Sequence, residues 1–127
     1  MNQVNLSDAE WKIMNLLWLK APMTIMQITH ELELETGWSK HTVITMLNRM
    51  EQKGAVAHEE GQRAKLFYPV ADQKEVTVKE TKGFLNRVYQ GSLSMMVNSM
   101  ADSKALSKKE IEELYEILRK AEGEAHD

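Results

Sequence analysis

The chain contains no cysteine. Disulfides, thiolate metal sites and cysteine nucleophiles are thereby excluded, and the composition suits a reducing cytosol. Aromatic residues make up only 6%, so aliphatic side chains and nine methionines fill the apolar quota. Methionine suits adaptable core packing and, less often, a contact surface. No run of about 18 apolar residues occurs, so no membrane span is expected. The opening MNQVNLSDAEW lacks the basic start and apolar stretch of a signal peptide. No glycine-rich loop can cradle a phosphate, and no nucleophile motif surrounds a serine. His30, His41, His58 and His126 are scattered without metal-ligand spacing. Trp11, Trp18 and Trp38 read as core anchors. No catalytic, cofactor or metal site is expected, and the chain reads as a non-enzyme.

The net charge of −3 argues against a polyanionic partner, but its distribution does not. Residues 36–68 hold five bases and three acids, an excess of +2. Residues 107–127 hold four bases and seven acids, a deficit of −3. The positive excess is thus central, a modest version of a nucleic-acid footprint.

The length of 127 residues fits a small domain with an assembly segment. Ser7 and Glu10 predict a capping box, with Leu6 and Trp11 as a hydrophobic staple. Ala9, Ile13, Leu16 and Leu17 form one stripe of that first helix; Trp11, Met14 and Trp18 form another beside it. Pro22 ends it. A second helix, with Ile25, Ile28 and Leu32 at helical spacing, runs to about Glu35 before Gly37. Ser39 is the natural cap of a third, from Lys40 to about Lys53. There Val43, Met46, Leu47 and Met50 recur at i, i+3, i+4 and i+7. The opposite face is His41, Thr45, Asn48 and Gln52, flanked by Thr42 and Arg49 on one side and Ile44 on the other. Extended runs at residues 55–60 and 64–70 bracket a Gly61-Gln62-Arg63 turn, with Leu66, Tyr68 and Val70 sharing one face.

Three helices and a hairpin fit a winged helix-turn-helix. Lys40, His41, Thr42 and Thr45 then reach base edges, and Asn48 suits adenine. Thr45 can donate, accept and touch a thymine methyl. Ser39 and Arg49 suit phosphate, and Gln62, Arg63 and Lys65 form a wing that touches the DNA backbone. Spacing alone fits an ordinary solvated helix face equally well.

Residues 72–127 read as helical: one helix capped by Asp72 and reaching about Tyr89, an apolar segment after Gly91, and a last helix opened by a Ser107–Glu110 capping box. This stretch is too short to enclose its own core, so a dimer is expected, buried through Phe84, Leu85, Val88, Tyr89, Leu93, Met96, Val97, Met100, Ile111, Leu114 and Leu118. The expected architecture is mainly α with a small β-hairpin wing: a winged helix over 1–71 and a helical dimerisation segment over 72–127. Two other readings remain open. One is a regulator that holds a small molecule against Met95, Met96 and Met100; the other is a winged helix used only for protein contacts.

Leu6-Ser7-Asp8-Ala9-Glu10-Trp11 with Met14 and Leu17-Trp18 resembles the opening of the penicillinase repressor (BlaI/MecI/CopY) family. Trp38-Ser39, Thr42-Val43, Thr45-Met46-Leu47 and Arg49 are similar to its recognition helix. Lys53-Gly54 and Arg63 through Tyr68-Pro69 look like its wing. Residues 84–91 and 106–114 resemble its dimerisation tail. The resemblance implies a homodimeric repressor of a resistance or stress operon at an inverted-repeat operator in double-stranded DNA. In the β-lactam branch it also implies a membrane sensor acting upstream, which triggers cleavage in the tail. That bond falls at Ser99-Met100 here, where the best-known members carry Asn-Phe. The copper-responsive branch uses cysteine ligands that this chain lacks. His41 stands where lysine is common and Ile44 where a polar residue is common, so the preferred operator sequence is expected to differ.

Overall fold

The first helix is opened by a reciprocal cap. Ser7 Oγ accepts from the Glu10 amide at 3.2 Å, and Glu10 Oε1 accepts from the Ser7 amide at 2.9 Å. In the computed structural model, which describes residues 4–124, helix α1 then spans Asp8–Lys20. Helix α2 (Ile25–Thr36) has a second such box, Thr24 with Gln27, and stops at Gly37, whose φ of 69° is the left-handed conformation glycine tolerates. Helix α3 (Lys40–Gln52) follows, then strands β1 (Val56–Glu60) and β2 (Lys65–Pro69), and helices α4 (Gln73–Tyr89), α5 (Leu93–Asp102) and α6 (Lys108–Glu124). The sequence-predicted elements are all present, mainly α with a two-stranded antiparallel hairpin.

The core lies among α1–α3 and the hairpin. Ile13, Met14, Leu17, Ile28, Leu32, Val43, Met46, Leu47, Met50, Ala55, Val56 and Phe67 are buried in it. The hairpin register pairs Val56 with Pro69, His58 with Phe67 and Glu60 with Lys65. Met23 adds a one-residue third strand, exchanging two backbone hydrogen bonds with Phe67 at 3.0 and 2.8 Å. That bridge ties the α1–α2 connection to the wing. Gly61 is required at the turn because a Cβ there would meet the Ala64 carbonyl oxygen at 2.4 Å.

Leu66, Tyr68 and Val70 share a strand face, as the alternation predicts, and Phe67 on the opposite face is the β2 side chain buried in the core. The tryptophans lie at the margin of the core: all three are half-buried, and Trp18 and Trp38 pack against it. Trp11 and Trp18 pair at 5.9 Å between ring centres, and Trp18 Nε1 donates to the Ala71 carbonyl at 3.1 Å. An indole needs a partner for its N–H, which favours the margin of a core over its centre.

Glu10 is the one buried charged residue among those described. Its Oε1 accepts from Lys53 Nζ at 2.8 Å, and the same ammonium donates to the Asn5 carbonyl at 2.8 Å. The end of α3 is thereby pinned to the start of α1. Burial pushes the Glu10 carboxyl up, but the hydrogen bonds from Lys53 and Ser7 together with the Lys53 charge outweigh it. The group is held below the usual carboxylate range. On the surface, Lys20 pairs with Glu31 at 3.0 Å and Lys12 with Glu35, joining α1 to α2. Such exposed pairs contribute little.

By backbone contacts the chain divides between Lys79 and Glu80, inside α4. In α4 the Glu75 amide is capped by Asp72 Oδ2 at 3.1 Å. Gln90 and Gly91, at φ 50° and 83°, break the chain before α5. The Ser107–Glu110 capping box opens α6. No described residue of α4, α5 or α6 is buried.

Two outcomes follow from the Glu10–Lys53 pair. Lys53→Met leaves a buried carboxylate without its counter-charge. It should cost about 2–3 kcal/mol in urea unfolding, less than a fully buried pair because Lys53 is partly exposed. The depressed Glu10 value stabilises the fold above the ordinary carboxylate range, and that contribution disappears as pH falls through the lowered value. Between about pH 6 and pH 3, wild type should therefore lose more stability than Glu10→Gln; parallel pH profiles would contradict the pairing.

Candidate nucleic-acid interface

The α2–α3 connection is three residues long, Gly37 to Ser39. Gly37 reverses the chain, and the Trp38 amide donates to Thr36 Oγ1 at 3.1 Å. Ser39 Oγ accepts from the Thr42 amide at 3.2 Å and lies 3.2 Å from the Thr42 hydroxyl. The sequence-predicted cap is therefore present, and Ser39 is already engaged by its own helix.

The rotation of α3 is fixed by Val43, Met46, Leu47 and Met50, all buried at 8% exposure or less. At 100° per residue the remaining positions must face away. Lys40, His41, Thr45, Asn48, Arg49 and Gln52 are exposed, while Thr42 and Ile44 are half-buried. Thr45 Oγ1 donates to the His41 carbonyl at 3.0 Å. Its proton is thus committed to the helix. What it offers outward is an acceptor and a methyl group, fewer options than the sequence suggested. Gln62, Arg63 and Lys65 are exposed at the end of the hairpin, where Lys65 stands opposite Glu60. That carboxylate offsets part of the wing's positive charge.

These residues form a polar, cation-bearing helix face beside an exposed turn with two cations. Among the described residues no group of three or more His, Asp or Glu side chains could hold a metal ion. His30 and His41 are exposed, and His126 lies outside the described residues.

His58, scattered from the other histidines in sequence, has a specific partner. It is half-buried, with Nδ1 at 2.8 and 3.0 Å from the two carboxylate oxygens of Glu51 on α3. Glu51 and Lys53 were missed altogether as supports of the helix. Their partners are distant in sequence, so no local spacing signals them.

In the tail, of the eleven side chains expected to pair two copies, Phe84, Val88, Leu93, Val97, Ile111 and Leu118 are exposed, and Leu85, Tyr89, Met96, Met100 and Leu114 are half-buried. Leu93 is 54% exposed and Leu118 60%. Ser99 is exposed and Met100 half-buried, in the last turn of α5. An open groove on this unit is lined by Tyr89, Met95, Asn98, Ser99, Asp102 and Ser103. Met96 and Met100 are not among its walls.

Comparison with known proteins agrees with the architecture. The family model described as "Penicillinase repressor" matches residues 6–120. The chain is 35% identical over 113 residues to the penicillinase repressor of Bacillus licheniformis, covering 89% of this chain and 88% of that one. It is 31% identical over 115 residues to the methicillin resistance regulatory protein MecI of Staphylococcus aureus, covering 91% of this chain and 94% of that one. Among solved structures, the monomeric form of Bacillus licheniformis BlaI in complex with the blaP half-operator superposes with a TM-score of 0.51 at 30% identity. It covers 57% of this chain and 88% of its own. A winged helix-turn-helix followed by a helical tail, matched along nearly its whole length by one family model and by two named regulators, makes this chain a member of the penicillinase repressor family.

Proposed function

We propose that the chain is a transcriptional repressor that binds an inverted-repeat operator in duplex DNA as a homodimer and controls a resistance operon. The observation that carries this reading is the fixed rotation of α3. Four apolar side chains are locked inward, so His41, Thr45 and Asn48 point out from a helix that a major groove about 12 Å wide can admit. Support comes from the similar BlaI, solved as a monomer on a half-operator. In this reading Lys40, His41, Thr42, Thr45 and Asn48 meet base edges. Ser39 and Arg49 meet phosphates, as do Gln62, Arg63 and Lys65. The chain does no chemistry on its target.

Dimerisation is supported by the tail, where Phe84, Val88, Leu93, Val97, Ile111 and Leu118 stand exposed with no core of their own. A large apolar surface of this kind calls for a partner. A two-fold pair matches an inverted repeat, one chain per half-site. Induction by cleavage at Ser99-Met100 belongs to the same proposal, since that bond lies within the segment the dimer depends on. The protein works in the cytoplasm, where DNA is accessible; no described helix is long and apolar enough to cross a membrane.

Selection of duplexes from a random pool should yield an inverted repeat, bound by two chains, with affinity falling steeply as salt rises. On that duplex Thr45→Ala should relax base choice at one position by about 1–3 kcal/mol, while Arg49→Ala should weaken all duplexes alike. If Thr45→Ala changes neither affinity nor preference, the recognition face has been misassigned. Leu118→Glu touches no buried side chain of its own helix. It should shift the chain toward monomer in sedimentation and lower operator affinity at least about tenfold through lost bivalency. A wild-type chain that sediments as a monomer at micromolar concentration would end the dimer proposal.

A further inference from the structure

Asn5 stands where the end of the recognition helix meets the first turns of α4. Its backbone carbonyl accepts from Lys53 Nζ at 2.8 Å, and the same ammonium holds the buried Glu10 just past the end of α3. Its side chain serves a different partner: Oδ1 accepts from Lys79 Nζ, on α4, at 3.2 Å. The neighbouring Val4 is buried in the core, so the Asn5 backbone is itself anchored. Just ahead of α4 the chain is fastened to the winged helix as well. The Ala71 carbonyl accepts from Trp18 Nε1 at 3.1 Å, and the Ala71 amide donates to the Ala55 carbonyl at 3.2 Å. From Asp72 to Lys79 only Val76 and Thr77 are half-buried, and the other side chains are exposed. No broad apolar seam therefore fixes this stretch. A helix held at one end can pivot; a second fastening about 12 Å further along its axis fixes its direction. The Asn5–Lys79 bond is exposed and adds little to stability. Its effect comes from where it holds the helix.

We infer that Asn5 and Lys79 set the half-site spacing that the paired repressor accepts in its operator. They are positioning residues, acting through the direction in which α4 leaves the winged helix. The inference rests on the operator-binding reading above and adds a specificity determinant to it. In a two-fold pair, the separation and rotation of the two recognition helices depend on how each winged helix is held on the helix that leads to its partner. One extra base pair turns one half-site by roughly 35° about the duplex axis relative to the other. A stiff connection rejects that displacement and a pivoting one tolerates it.

The test uses the full chain and duplexes that carry the selected half-site as inverted repeats of different spacing. When the spacing is changed by about one base pair, wild type should lose affinity about tenfold, and Asn5→Ala and Lys79→Met less than about threefold. Asn5→Asp keeps an acceptor for Lys79 and should keep the wild-type selectivity. On a duplex with a single half-site, Asn5→Ala should bind within about twofold of wild type, because Lys53 holds the Asn5 backbone and α3 is undisturbed. Wild-type spacing selectivity in Asn5→Ala would overturn the inference; so would a loss at the single half-site as large as that at the repeat. A second measurement needs no DNA. The chain has no cysteine, so spin labels can be placed at Asn15→Cys on α1 and Lys82→Cys on α4, in labelled chains diluted with unlabelled ones. Adding Asn5→Ala should make their distance distribution about twice as broad. An unchanged width refutes the inference whatever the duplexes show. Failure of wild type to bind any duplex would instead refute the operator-binding reading, and the label distances would still decide whether Asn5 holds α4.

Discussion

The interface depends on the packing of one helix face. Val43, Met46, Leu47 and Met50 lie on the inward side of α3 against α1, α2 and the hairpin, and three of the four are wholly buried. A helix turned by one residue would swing every side chain through 100° and bring Ile44 or Met46 to the direction Thr45 now takes. The cost of exposing such a stripe, about 1.5–3 kcal/mol for each large apolar side chain, makes the alternative rotation inaccessible. The ends of α3 are held as firmly. Ser39 caps the first turn, and Lys53 is tied to the buried Glu10 just past the last. The outward chemistry of the helix is thus decided by residues that never face a ligand.

The wing is set by the same logic at longer range. Met23 pairs with Phe67, the β2 side chain buried in the core. Glu51 and His58 then join the end of α3 to β1. The helix and the hairpin are therefore fastened to each other as well as to the core. A two-part interface needs that, because each part alone makes only a few contacts.

What the sequence disclosed was what neighbours in sequence determine. The capping boxes at Ser7–Glu10 and Ser107–Glu110, the Ser39 cap, the Gly37 reversal and the buried stripe of α3 all depend on residues three or four apart, and all are present. The polar strip on α3 was legible because it is the complement of that stripe. Contacts between distant residues were not legible. Glu10 reads as a surface acid completing a cap; its burial follows only from Lys53, 43 residues away. The burial of Phe67 and the marginal depth of the tryptophans have the same origin. A short strand's inward face and an aromatic's depth are chosen by whatever packs beside them. Gly61 was recognised as a turn residue, yet its necessity comes from the approach of the Ala64 carbonyl rather than from a left-handed φ.

The two units divide the work unequally. The winged helix has a closed core and keeps its fold by its own packing. The tail buries no described side chain, though α5 and α6 are strongly apolar on one side. A segment with that pattern gains its free energy from association, so in the proposed dimer its folding is coupled to assembly. A single recognition helix with one short wing binds a half-site weakly. Joining two raises affinity through effective concentration without adding any contact to either half-site. In the proposed dimer the tail would govern occupancy of the operator without reading a base. An event that weakens it, whether a cut near Ser99 or a charge placed at Leu118, would act on DNA binding through that multiplication, leaving α3 and its polar strip unchanged.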